Sequence, residues 1–294
     1  MAAGKRICVV LAVFLLFSRA AAAFEWPVED VSLVSTFGQD RWGDYLKGIE
    51  LHSPLDRVEA VEAGEVIFFS NETGGSPHKQ GSGLGNMVVV QHERNIRSVY
   101  GHLSSPFLNG SVLFSADQEL GKIGSTGMTE GRFLYLQIID SEVSRFVNPL
   151  LSLPSVADKV RPSIEEIVLE YDDDEHILRK GMSAPQGRCR LHLRAYDTST
   201  ALKMFKPMSV YSVKLYINGE ERQSFSFESL AIENGRVVPA GRSDLSHEAL
   251  YGEGKGISLG FVTLQPGEAV IEVVVADFAG NEKILSMRIY VRAE

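Results

Sequence analysis

The chain has 294 residues, 44% of them hydrophobic and 23% charged, with 29 Lys and Arg set against 38 Asp and Glu for a net charge of -9. That length exceeds one typical domain and points to about two, while the ordinary composition excludes disorder as the default. The acidity argues against nucleic acid or anionic lipid as the principal partner.

The first residues, MAAGKRICVVLAVFLLFSRAAAAF, carry Lys5 and Arg6, then an apolar run from Ile7 to Phe17, then small residues ending at Ala21 to Ala23. The run is too short to span a bilayer, and the small-residue pattern fits cleavage near Ala23. Residues 1–23 therefore read as a signal peptide and the protein as exported, with no stable membrane span after cleavage; an uncleaved tether is the alternative. Cys8 opens the apolar run instead of closing it, which argues against a lipoprotein anchor. Cleavage removes Lys5, Arg6 and Arg19 and no acid, leaving 26 basic against 38 acidic residues, a net charge of -12. One cysteine, Cys189, then remains, so an internal disulfide is excluded and packing must supply the stability. It alternates with Leu191 and Leu193 in RCRLHLRA and reads as a buried core thiol.

From Phe24 to about Pro154 short strands alternate with glycine-rich turns: GEVIFF, NMVVVQH, IRSVYGH, GKIG and FLYLQI. The Gly- and Ser-rich stretch from Asn71 to Gly85 reads either as a groove-rimming loop or as a plain hairpin connection. The segment GRFLYLQIID alternates like a strand yet is apolar on both faces, with Phe133 and Tyr135 on one and Leu134, Leu136 and Ile138 on the other. LPSVADKVRPS, residues 153–163, suits a boundary. Beyond it come further strands, with Asn218-Gly219 as a hairpin signal and a strand-ending turn at Asp277 to Asn281. Strands of that length spaced by turns over residues 160–294 predict an immunoglobulin-like β-sandwich. The acidic stretch YDDDEH from Tyr171 to His176 lacks the glycine and ligand spacing of a calcium loop and reads as a solvated turn. His78 and His92 read as loop and strand-surface histidines.

Three stretches of residues 24–154 belong together: STFGQDRWGDYLKGIELHSPLDRVEAVEAGEVIF, SVYGHLSS, and NGSVLFSADQELGKIGSTGMTEGRFLYLQI. In order and spacing they resemble the LytM-like M23 family of zinc metallopeptidases, which cut peptide crosslinks in bacterial cell wall. The resemblance covers about Ser35 to Pro149 and implies an all-β chain: an M23-like antiparallel β-sheet domain followed by the sandwich. The family's first motif, His-x-Gly-x-Asp, keeps Gly48, but Leu46 stands at the histidine and Glu50 at the aspartate. Tyr-x-His-Leu is intact as Tyr100, Gly101, His102 and Leu103, and the Gly-Ile-Gly and Thr-Gly elements survive at Gly121 to Gly127. The closing His-Leu-His-Phe-Glu is replaced by Phe133, Leu134, Tyr135, Leu136 and Gln137.

What the resemblance implies for chemistry follows from these exchanges. Leucine has no lone pair for zinc, and tyrosine ligates only as a phenolate, which a pKa of about 10 disfavours. Phe133 cannot donate the hydrogen bond that the family's histidine gives there, and His102, the retained catalytic position, has no polarised water to act upon. The groove positions Leu46, Glu50, His102, Phe133 and Tyr135 thus imply a pseudoenzyme of the cell envelope or periplasm without a cofactor, whose partners are peptidoglycan or a cell-wall hydrolase. His102 reads, apart from this, as a histidine hydrogen-bonded to nearby backbone. Phe133 and Tyr135 either fill the space a metal and its water once took or stack on a peptide or glycan strand. The alternative is a zinc endopeptidase with a rearranged ligand set, Glu50, His52 and His102, since the first two point the same way from one strand.

Overall fold

In the computed structural model the described residues are 24–71, 83–106, 112–116, 118–172, 174–252 and 254–293. The expected signal peptide with Cys8, most of the Gly- and Ser-rich loop with His78, and the centre of YDDDEH lie outside them.

The first half consists of β1 (Ser32–Ser35), β2 (Asp40–Arg41), β3 (Asp44–Tyr45), β4 (Ile49–His52), β5 (Arg57–Glu59), β6 (Gly64–Ser70), β7 (Asn86–Gln91), β8 (Ile96–Pro106), β9 (Leu113–Phe114), β10 (Glu119–Ile123), β11 (Leu134–Asp140) and β12 (Arg145–Val147). All but the small β2–β3 hairpin belong to one twelve-stranded sheet, whose central path runs β12-β11-β8-β7-β6-β9. β11 is flanked by β8 along its length and by β4 beside its first residues, antiparallel to both. Leu134, Leu136 and Ile138 on one face join Ile49, Leu51 and Tyr100 in the core. Tyr135 and Gln137 on the other face are buried as well. A strand covered on both faces needs apolar groups on both, which is the physical reason for its doubled pattern.

The second half adds β13 (Ser163–Tyr171), β14 (Asp174–Ile177), β15 (Ser183–Pro185), β16 (Gly187–Tyr196), β17 (Ser212–Ile217), β18 (Glu220–Ser226), β19 (Ser229–Glu233), β20 (Arg236–Pro239), a short helix α1 (His247–Tyr251), β21 (Ile257–Leu264), β22 (Gly267–Ala276) and β23 (Glu282–Arg292). Sheet β14-β13-β16-β21 and sheet β15-β23-β22-β17-β18 turn alternate residues into one cluster, Ile167, Leu191 and Leu193 from the first, Val213, Ile271 and Ile289 from the second. The chain is thus almost wholly β, antiparallel except where β15 runs parallel to β23. Asn218 and Gly219 both take positive φ, 52° and 82°, in the two-residue turn joining β17 to β18, as an Asn-Gly hairpin requires. Cys189 is buried in β16, where burial pushes its thiol pKa up. No helix of the described residues is long and apolar enough to cross a membrane.

One pairing joins the halves. β19 leaves the second half and pairs with β12, Arg145 opposite Ala231 and Val147 opposite Ser229, so the β19–β20 hairpin extends the first half's sheet. Around it Tyr45 packs near Phe227 and Tyr251 and donates from its hydroxyl to the Leu245 carbonyl at 2.9 Å. Asn148 Nδ2 donates to the Phe227 carbonyl at 3.0 Å. These contacts brace Tyr45, which lines the groove described next.

Candidate functional site

Register brings the site together. Tyr135 in β11 lies opposite Glu50 in β4 and opposite Gly101 in β8. Beside Gly101, β8 bulges: Asn86 faces Leu103 and Val88 faces Tyr100, leaving Gly101 and His102 opposite Met87 alone. The bulge sets His102 in the left-handed region at φ 62°. Its N–H donates to the Leu84 carbonyl at 2.7 Å, and its ring Nδ1 lies 2.8 Å from the Thr126 carbonyl. A carbonyl can only accept, so Nδ1 carries the proton and Nε2 is the bare nitrogen. Burial lowers the imidazole's pKa, with Arg41 adding to that effect and the Thr126 contact and Glu50 opposing it, which keeps the ring neutral at pH 7.

Leu46, Glu50, His102 and Tyr135 all line one groove of about 290 Å³, together with Arg41, Trp42, Tyr45, Leu84 and Met128. Phe133 does not line it. It lies on the same face one step further along, half-buried, with its ring 6.5 Å from that of His52, which in turn sits 5.0 Å from Phe205. His52 thus belongs to an aromatic patch beyond the groove. Among the described residues Glu50, His52 and His102 do not bring three ligand atoms within 4.8 Å of one another. His92, expected on a strand surface, is buried: its ring nitrogens reach the Ala63 carbonyl and the Ser98 hydroxyl, and those two bonds make an internal place for it.

The residue that sequence reasoning missed is Arg41. Its guanidinium, with the side chain only 9% exposed, bonds Glu50 Oε1 through Nη2 at 2.7 Å, and Ser35 donates to Glu50 Oε2 at 2.6 Å. Glu50 itself is 1% exposed, so both oxygens of a buried carboxylate are taken by internal donors. Arg41 reaches this place from the β2–β3 hairpin, whose two tip residues, Trp42 at φ 52° and Gly43 at φ 82°, form the mirror-image turn that suits a tight hairpin. The Arg41 guanidinium also lies over the Trp42 ring, 4.2 Å from its centroid. The only local signal was the glycine of RWGD at a turn. Nothing in that stretch says that its arginine folds inward.

The residues present do not fit a catalytic zinc. Leu46 offers no donor. The Tyr135 ring is buried, and burial reinforced by the nearby Glu50 carboxylate pushes its pKa far above the usual phenol value, so the phenolate a metal needs is disfavoured. Its hydroxyl instead donates to Gln137 Oε1 at 3.2 Å, and its ring fills the space above Gly48, where a Cβ would come within 2.8 Å of it. Glu50 already holds a fixed cation, and a second positive charge beside it would be repelled.

Sheet, register and groove define an almost all-β protein carrying a groove with an internal ion pair among its lining residues. Residues 44–149 match the model of peptidase family M23, so that stretch of the chain is similar to the M23 peptidase domain. It is 28% identical over 138 residues to the murein hydrolase activator NlpD of Escherichia coli, a stretch covering 47% of this chain and 33% of that protein. Against the cell division protein DipM of Caulobacter vibrioides the identity is 25% over 147 residues, 50% of this chain and 21% of that one. This chain therefore spans a third or less of the length of those relatives. The catalytic domain of the M23 protein EnpA from Enterococcus faecalis is similar in structure at 23% identity and a TM-score of 0.34, covering 42% of this chain and 91% of that domain.

Proposed function

We propose that this chain is a non-catalytic M23-type module of the bacterial envelope that engages a murein hydrolase on peptidoglycan and regulates it. The observation that carries this reading is the buried Arg41–Glu50 pair at the groove floor, which supplies a permanent positive charge where family chemistry requires an exchangeable one. The names of its relatives lend support, since NlpD is a murein hydrolase activator and DipM a cell division protein. Trp42 supplies the contact. It stands 55% exposed at the groove rim beside Met128, itself 56% exposed. A bulky residue at positive φ costs about 1–3 kcal/mol, and sites of recognition are where such strain is kept. Exposed Trp and Met beside a concave floor are the composition of a protein-binding hot spot.

The test is dye release from labelled peptidoglycan by a murein hydrolase of the same organism, with and without this protein. The protein alone is expected to release nothing, with zinc or with chelator, and to raise the hydrolase rate. Trp42→Ala should weaken that effect by about 30-fold in half-maximal concentration, equivalent to a hot spot of about 2 kcal/mol, without loss of folding. Chelator-sensitive release by the protein alone would establish the zinc endopeptidase instead. No effect on the hydrolase and no retention on peptidoglycan would discard the regulatory reading.

A further inference from the structure

A second site lies far along the chain from the groove. Asp158 in the segment joining the halves, Asp197 just after β16 and Asp277 just after β22 each place one carboxylate oxygen within 4.8 Å of the other two. Asp197 is 2% exposed and Asp277 1% exposed, while Asp158 is half-buried. Two of the three acids are thus shut off from solvent, unlike those of an exposed turn. They have no cation either: among the described residues no ion pair reaches any of the three.

Their hydrogen bonds show which oxygens are free. Asp277 is satisfied by Asn281, whose backbone N–H donates to Oδ1 at 2.8 Å and whose Nδ2 donates to Oδ2 at 2.7 Å. Asp158 Oδ1 accepts from the Val160 N–H at 3.0 Å, and the Asp158 carbonyl accepts from Asn281 Nδ2 at 3.2 Å. Asp158 Oδ2 and Asp197 Oδ1 are buried and accept nothing. A buried carboxylate oxygen without a donor is destabilising, and a native fold rarely leaves two of them in one cluster. Burial first, then the neighbouring charges of Asp277 and Asp158, push the Asp197 carboxyl up to about 7, the mark of a negative cluster that lacks its counter-charge.

The geometry points to a divalent cation site of the calcium type at Asp158, Asp197 and Asp277. The donor set is all oxygen, which selects a hard cation, and ligands drawn from three separate segments suit calcium's tolerance of irregular coordination better than the strict octahedron magnesium demands. Asp158 belongs to the connector between the halves, so a bound ion would pin that connector to the ends of β16 and β22 and fix how the second half stands against the first. This is independent of what the groove binds.

Titration calorimetry of calcium chloride into the chelator-stripped protein should give one ion per chain with an affinity in the range of extracellular modules, about 10⁻⁴–10⁻³ M. Thermal unfolding should then occur at a higher Tm in millimolar calcium than in EDTA, because the ion binds the native state alone. Asp197→Asn should abolish both the heat and the shift, while melting in EDTA at or above the wild-type temperature, since it removes a desolvated charge. Asp158→Asn, at the half-buried position, should weaken binding at least tenfold and serves if Asp197→Asn does not fold. Absence of calcium heat in the wild type, or an undiminished shift in either variant, overturns the site.

Discussion

Arg41→Ala is expected to cost about 3–5 kcal/mol of stability, the range for removing one partner of a buried ion pair. The reason is what stays behind. Glu50 is 1% exposed and keeps only the Ser35 hydroxyl as donor, so its charge is left uncompensated inside the groove floor. Glu50→Ala should cost a similar amount, because it leaves a guanidinium that is 9% exposed, whose Nε already lacks a hydrogen-bond partner, with only the exposed Glu130 carboxylate 3.8 Å from Nη1. Replacing both together, Arg41→Met with Glu50→Leu, should recover most of the loss, since an apolar pair of similar volume pays no desolvation. Urea denaturation of the two single variants and the double variant closes the cycle, and a coupling energy of about 2 kcal/mol or more is the expected result. Single variants that each fall within about 0.5 kcal/mol of wild type, the usual range for surface substitutions, would mean that the pair is solvated and that the groove floor carries no fixed charge.

The same pair marks how far the sequence can be read. Strand content, the Asn218-Gly219 hairpin and the alternation of β23 follow from local rules, since period-2 patterning and turn chemistry act within a few residues. In β23 Ile289 and Val291 are buried while Ile284, Ser286, Arg288 and Tyr290 are exposed, which is the alternation expected of a strand covered on one side. Leu46, Glu50, His102 and Tyr135 could be gathered because a family motif fixes their order, and the register of β4, β11 and β8 puts them in one groove. Phe133 fell outside because β11 begins at Leu134: Phe133 pairs with Gly124 in a lone bridge and turns toward His52. Arg41 was illegible for a different reason. Its role depends on a hairpin folding over the sheet, and such a non-local approach leaves no periodic trace. The three aspartates are still further apart in sequence, and the β19–β20 hairpin crosses a boundary that composition alone placed at residues 153–163. Tertiary pairing, not propensity, decided all three.

That crossing leads to the second large effect, at Phe227. The side chain is 0% exposed. It sits just before β19, with its ring 5.9 Å from Tyr45 and 5.6 Å from Phe225, and it lies so close over Gly38 that a Cβ there would come within 2.3 Å of the ring. Gly38 takes φ 80°, so glycine is required at that contact for both space and conformation. Phe227→Ala is expected to cost about 3–5 kcal/mol, the usual range for deleting a buried phenylalanine whose surroundings cannot collapse. The loss should reach the first half. Both tryptophans, Trp26 and Trp42, lie there, and the buried core runs without a break from Leu33 and Tyr45 through Phe227 to Val213 and Ile271. Tryptophan fluorescence in guanidinium should therefore report a midpoint lowered together with that of far-UV circular dichroism, although the substitution is in the second half. A variant whose tryptophan midpoint stays at the wild-type value while the circular dichroism midpoint falls would show that the halves unfold separately. The groove wall at Tyr45 would then owe nothing to Phe227, and the bracing of the site by the second half would have to be given up.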